Sequence, residues 1–268
     1  MTRARGIAAA DAAPVDEESR GALVEYLLRH GDDRLVLGHR LSEWCGHAPI
    51  LEEDIALANV ALDLIGQANL LLQLAGAAEA KGRDGDALAY FREAVDFRNL
   101  QLVELPKGDF GFTIVRQFLF DAYDVLFLEA LQRSTHTELG GIAAKAYKEA
   151  RYHLRHSAEW VVKLGDGTEE SHRRAQSALD ELWRFTGELF AADGVDGRLA
   201  AAGLAPDLPA LEAPWRERVA AVVRQATLAL PADGPAMLGG RRGRHSEHLG
   251  HLLAEMQIVA RSFPGATW

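Results

Sequence analysis

LEEDIALANVALDLIGQANLLLQL, residues 51–74, is the stretch on which the reading of the whole chain turns. It is long, apolar and free of proline, with one internal glycine, so it specifies a helix of about six turns rather than a strand. Past its first turn the polar residues are Asn59, Asp63, Gln67, Asn69 and Gln73. Asn59, Asp63 and Gln67 recur every fourth residue and therefore share one side of the helix. A polar stripe on an otherwise apolar cylinder is expected to point into an internal polar site.

Around this helix the composition is that of a globular protein. With 268 residues, 48% of them hydrophobic and 25% charged, the chain can bury a sizeable core. A formal charge of −10 argues against nucleic acid or an anionic membrane as partner, because both are held by clustered Lys and Arg. Cys45 is the single cysteine, so no intrachain disulfide forms and a reducing cytoplasm is the default compartment. Such a free Cys is expected as a small buried hydrophobe rather than a nucleophile. Residues 56–78 are long enough to cross a bilayer, but five polar side chains would enter hydrocarbon, so a core helix is expected. Residues 1–17 lack the apolar core of a signal peptide and are expected to form a disordered tail.

The remaining segments read as helices in sequence. Residues 18–45 place Leu23, Leu27, Leu35, Leu37 and Leu41 in helical rhythm, with Gly31 and Gly38 as weak points. Gly46-His47-Ala48-Pro49 ends that helix, and Pro49 with Glu52, Glu53 and Asp54 suits the start of the next. A shorter helix is expected over 87–105, followed by long helices over 113–134 and 139–165. Thr168 can cap a helix over 169–192. A Gly- and Pro-containing connection over 194–209 leads to helices over 211–228 and 245–262, with a loop over 231–243 between them. No strand pattern or fixed-period repeat is visible. The expectation is an all-α chain in which residues 18–165 form a four-helix bundle and residues 166–268 add helices that pack on it as part of one domain.

Four-helix bundles that hold two irons line their centre with a Glu from each of two helices and a Glu-x-x-His pair from each of the other two. The corresponding positions here are Glu43 on the first helix, Leu64 and Gln67 on the second, Asp121 on the third, and Ala150 and His153 on the fourth. Leu64 and Ala150 stand where carboxylates are needed, and Gln67 stands where a His is needed. Glu149 is adjacent to Ala150 but about a hundred degrees round the helix. Two irons need bridging carboxylates, so the residues by themselves read as polar partners hydrogen-bonded within a partly polar core.

Glu43-Trp44-Cys45-Gly46-His47-Ala48-Pro49, Asp63-Leu64-Ile65-Gly66-Gln67, the phrase YHLRHSAEWVVKLGDGTEESHRR from Tyr152 and GRHSEHLGHLLAEMQ from Gly243 resemble the structural C subunits of bacterial phenylacetyl-CoA epoxidases. The resemblance covers nearly all of the chain except its N-terminal tail. It implies a ferritin-like four-helix bundle with additional C-terminal helices, carrying no cofactor of its own. It further implies a related catalytic subunit that carries the di-iron centre, and a separate reductase that supplies electrons from NADPH through flavin and iron–sulfur groups. The assembled enzyme would use O2 to convert phenylacetyl-CoA to its ring 1,2-epoxide. Other oxygenase subunits and self-association remain open as further partners.

Three rival sites are also visible. Glu247, His251 and Glu255 share a helix face, and His245, His248 and His251 step by three, but one helix rarely closes a metal site. Arg241, Arg242 and Arg244 lie among glycines and would grip an anion such as a CoA phosphate only if backbone N–H groups converge there. Ser42, Glu43 and His39 lack the elbow and oxyanion loop of a hydrolase. The alternative function is a ferritin-like oxidase with its own divergent metal site built from Glu43, Asp121, Glu149 and His153.

Overall fold

The computed structural model describes residues 17–266, and all regular structure among them is helical. Four long helices dominate: α1 (Glu17–Ser42), α2 (Leu51–Glu79), α5 (Phe110–Leu131) and α6 (Thr137–Gly165). α1 packs along α2 and α5 along α6, and residues 80–109 form the one long crossover between the two pairs, carrying the short helices α3 (Gly85–Tyr90) and α4 (Gln101–Glu104). Two hairpins joined by a single long crossover is the connectivity of ferritin-like bundles. The tail expected over 1–17 lies outside the described residues, except that Glu17 opens α1.

Local chemistry sets the helix ends. Asp109 accepts a hydrogen bond from Phe112 N at 2.8 Å to start α5, and Thr168 with Ser171 forms the expected cap of α7 (Glu169–Leu182). α2 begins without a side-chain cap but with Glu52, Glu53 and Asp54 in its first turn. Among the described residues it is the one helix long and apolar enough to cross a membrane, yet its inner face is packed against protein. Gly31 and Gly38 are not weak points. They are places where α2 lies close against α1: a Cβ at Gly31 would meet the side chain of Leu72, and Gly38 faces the carbonyl of Ala61.

Three successive charged residues of α1, Asp32, Asp33 and Arg34, are all buried. Each is turned about a hundred degrees from the last, so they address three different parts of the fold. Asp32 pairs with Arg92, Asp33 with Arg241, and Arg34 with the bundle centre. Asp32 also accepts from Arg98 N at 2.9 Å and Asp33 from Leu100 N at 2.8 Å. Those backbone donors are thereby satisfied without a helix, which is why the single helix expected over 87–105 is instead α3, a 3-10 turn at Ala94–Asp96, and α4.

The C-terminal part differs from expectation in two places. α7 gives way after Leu182 to a 3-10 stretch, Trp183–Phe190, within which Glu188 is drawn to backbone N–H groups elsewhere. The connection over 194–209 contains a helix, α8 (Gly194–Ala201), because Asp193 and Asp196 form a capping box that outweighs the local glycines. α9 (Glu212–Gln225) and α10 (Glu247–Ser262) complete the chain; α7 and α9 lie against α5 and α6, while α8 and α10 lie against α1. Cys45 is exposed, not buried. Trp44 takes the inward position in that turn, donating to Thr113 Oγ1 at 3.0 Å, and the next residue is rotated out to solvent.

Candidate functional site

The bundle centre is built from one side chain or more on each long helix. α1 contributes Arg34, α2 Asp63 and Gln67, α5 Gln117, Asp121 and Asp124, and α6 Glu149, His153 and Ser157. Arg34, Gln67, Asp121, Asp124, His153 and Ser157 are almost completely shielded from solvent. Buried polar groups at this density persist only when they are paired, and here the pairs cross between helices.

One hydrogen-bonded line traverses all four helices. Arg34 Nη2 donates to Asp124 Oδ1 at 2.5 Å and its Nε donates to Gln67 Oε1 at 3.0 Å. Gln67 Nε2 then donates to Glu149 Oε2 at 2.8 Å. Beside this line His153 Nε2 meets Asp63 Oδ2 at 3.0 Å, and Asp121 accepts from Ser157 Oγ and from Gln117 Nε2, each at 2.7 Å. Burial pushes the Asp121 carboxyl up to about 7, against the opposing influence of His153, Ser157 and Gln117. Burial likewise raises Asp124, with Arg34 acting against it. For His153 burial acts downward, but the hydrogen bond to Asp63 and the charges of Asp121, Asp63 and Asp124 outweigh it and leave the imidazole above its ordinary range.

These residues do not fit a di-iron centre. Leu64 and Ala150 are fully buried and have no donor atoms to offer. Gln67 presents its amide oxygen to Arg34 rather than to an open space. Among the described residues no three His, Cys, Asp or Glu side chains form a group that could hold a metal ion. The guanidinium of Arg34 adds a permanent positive charge at the place where two further cations would have to be accommodated.

Glu43 is not part of the centre. It lies nine residues beyond Arg34, just past the last residue of α1 and so roughly 13 Å away along the helix direction, and pairs with Arg40 at 2.6 Å. The register that places it opposite Gln67 and His153 is therefore wrong, and Arg34 is the α1 residue that faces them. Asp121 and His153 do come together, whereas Glu149 reaches the centre only through Gln67. The stripe on α2 runs from solvent inward: Asn59 is exposed, Asp63 half-buried and Gln67 buried. A second pair on the same seam, His156 Nε2 with Glu53 Oε2 at 2.8 Å, was not anticipated.

The rival sites do not assemble among the described residues. His245 sits between Glu104 Oε2, at 2.7 Å, and the carbonyl of Phe97, at 3.0 Å, while Glu247, His251 and Glu255 are exposed on α10. Arg241 is committed to Asp33 and to the carbonyls of Arg29 and Arg98. Backbone N–H groups do converge beside it, but Gly239 N and Gly240 N both donate to Glu188 Oε1 at 2.8 Å, so the protein fills that anion position itself. Ser42 Oγ donates to the carbonyl of His39 at 2.7 Å and forms no triad.

Fold and centre together define an all-α, ferritin-like bundle whose polar interior is closed by its own side chains. The sequence profile of the family described as phenylacetic acid catabolic protein matches residues 1–268. The C subunit of 1,2-phenylacetyl-CoA epoxidase from Escherichia coli strain K12 is 49% identical over 246 residues, spanning 92% of this chain and 99% of that protein. The chain belongs to the phenylacetic acid catabolic protein family.

Proposed function

We propose that this chain is the non-catalytic structural subunit of a multicomponent di-iron oxygenase that epoxidises the aromatic ring of phenylacetyl-CoA in the cytoplasm, and that it binds and steadies the catalytic subunit. The observation that carries the reading is the bundle centre, where Arg34, Leu64 and Ala150 stand in place of carboxylates. The irons belong to the partner on this reading, and the NADPH-derived electrons reach them through the flavin and iron–sulfur groups of a separate reductase. The identity with a protein named as a subunit of such an epoxidase supports the same assignment.

The exposed side of α2 supports the reading. Leu51, Ile55 and Leu62 fall within about 40° of one another round the helix and are exposed, Leu51 by 72% and Leu62 by 66%. Ile50 precedes them in the turn from α1, and Tyr152 follows on α6 beside His153. Large apolar side chains grouped on one helix face mark an interaction site rather than the scatter of a monomer's surface.

Co-expression with the catalytic subunit tests the proposal. The two chains are expected to elute as one complex with a buried interface of about 1,600 Å² or more. Independent elution at micromolar concentration contradicts it. Cys45 provides a second readout, since it is exposed at the α1–α2 turn and is the only thiol in the chain. Its alkylation is expected to slow in the complex.

A further inference from the structure

We propose that Lys145, Lys148, Arg151 and Arg155 on the outer face of α6 form the charged edge of the interface whose apolar part is α2, and that the catalytic subunit docking there meets them with a row of carboxylates. The inference deepens the reading of this chain as the subunit that binds the catalytic subunit, and rests on it.

The four residues are exposed and follow one another at intervals of three, three and four, so they share one side of α6 over about 15 Å. With 39 Asp and Glu in the chain against 29 Lys and Arg, a solvated helix face should mix the signs. This one does not. Between Glu138 and Glu159 the one carboxylate of α6 is Glu149, which is half-buried and accepts from Gln67. Among the described residues none of the four basic groups has an ion-pair partner. The row lies in the middle of α6, so it does not serve the negative end of the helix dipole, where Lys163 sits. Like charges three or four residues apart repel, a cost that carboxylates on a docking chain would relieve.

The flanking helices do not supply that charge. Gln67 with Glu149 and Asp63 with His153 set α2 alongside this part of α6, and between Ile55 and Ala78 the single charged residue of α2 is Asp63, already paired. The side chains that α2 exposes there are Asn59, Leu62, Asn69 and Gln73. On the other flank α9 brings the uncharged Val222 and Gln225 to the groove that Arg155 and Lys163 also line. Arg151 lies over the ring of Tyr147 at 5.9 Å and Arg155 over that of Tyr152 at 5.3 Å, so both guanidiniums are steadied and lose less freedom when they pair. An apolar strip at Leu62 and Tyr152 bordered by charge has the anatomy of a protein interface, and an edge of one sign selects an acidic partner.

Binding of the catalytic subunit to the full chain tests this, followed by biolayer interferometry at about 50 mM and about 500 mM NaCl, where the Debye length falls several-fold. K145E/K148E/R155E is compared with R133E/R184E/R242E, which makes the same change in charge at exposed positions elsewhere. The first variant is expected to bind about tenfold or more weakly than wild type at low salt, mainly through a slower on-rate, with the gap narrowing to about threefold or less at high salt. The control is expected to stay within about threefold of wild type. Equal binding by wild type and K145E/K148E/R155E overturns the proposal and leaves the subunit reading standing, and an equal loss in the control overturns it too, since net charge then accounts for the effect. A wild-type chain that fails to bind the catalytic subunit at low salt overturns the subunit reading and this inference with it. A wild-type dimer at low salt that K145E/K148E/R155E dissociates, with binding of the catalytic subunit unchanged, assigns the row to a second copy of this chain and overturns the proposal. If the reversal variant does not fold, K145Q/K148Q/R155Q replaces it: weaker binding at low salt by about threefold or more supports the proposal, and a smaller change overturns it.

Discussion

Replacing Gly38 by Ala tests how α1 and α2 are held together. The added methyl would lie 2.9 Å from Ile65 Cγ1, 3.1 Å from the carbonyl oxygen of Ala61 and 3.4 Å from Ile65 N. Ile65 is half-buried and its side chain can turn aside, but the carbonyl belongs to the backbone of α2, which is pinned on the same face by Leu57, Leu64 and Leu71. Two effects oppose each other. Removing a glycine from mid-helix favours folding by about 1 kcal/mol, and overpacking a close helix contact costs about 1–3 kcal/mol. The backbone contact decides the sign, because relieving it requires the two helices to separate, so G38A is expected to lose about 1 kcal/mol. Gly66→Ala is the control on α2, where an added methyl meets nothing within 4 Å and only the propensity gain remains. The two variants should therefore differ by roughly 2 kcal/mol in urea denaturation, or about 4–8 °C in midpoint for a chain of this size. A G38A protein as stable as G66A refutes the claim that close backbone approach governs this helix pair.

Other perturbations follow from the same structure. Asp121 titrates near 7 when folded against an ordinary value of 3.8, so the folded state holds the proton more tightly and stability should fall as pH rises through that interval. Asp121→Asn should remove this decline, and parallel pH profiles for the two proteins would contradict it. For His245 burial acts downward, yet the hydrogen bond and charge of Glu104 and the Phe97 carbonyl raise it overall. Its stabilisation is thus complete below the ordinary histidine range and lost as pH climbs through the raised value. Amide exchange at the start of α10 should quicken over that range in wild type and show no such step in H245Q. The Tyr123 hydroxyl is buried with no partner among the described residues, so Tyr123→Phe should cost less than about 1 kcal/mol, and a loss of about 2 kcal/mol or more in urea melts would show that the hydroxyl is bonded. Leu62→Glu, at an exposed position, should leave the melting midpoint of the isolated chain within about 2 °C of wild type while weakening co-purification with the catalytic subunit about tenfold or more. Unchanged co-purification would remove α2 from the interface.

The sequence made the long helices legible because their apolar periodicity is strong and their starts carry Asp109, Thr168 and the acidic first turn of α2. Residues 87–105 were illegible because what interrupts that helix is remote: carboxylates of α1 capture its backbone donors. The centre was legible in part. Gln67, Asp121 and His153 were found by spacing, and Leu64 and Ala150 stood out as positions without donors. Arg34 carries no carboxylate and so falls outside the ligand pattern of such bundles, whereas Glu43 fits that pattern but pairs with Arg40 away from the centre. A signal for Arg34 was present, since Asp32-Asp33-Arg34 lies among leucines in a helix that must be buried on several sides. Three adjacent charges there cannot all reach water, so each needs a partner from a different direction. The pairing of Arg241 with Asp33 was illegible because the two residues lie far apart in sequence and meet only when the chain folds.

Iron content is the most direct test of the central claim. The purified chain is incubated anaerobically with ferrous iron and desalted, and iron per chain is measured by plasma mass spectrometry. Iron at the level of the buffer blank is the predicted result, because Arg34 occupies the centre and Leu64 and Ala150 provide no ligands. About two irons retained per chain, the complement of a working centre in this fold class, would contradict it and assign the chemistry to this subunit.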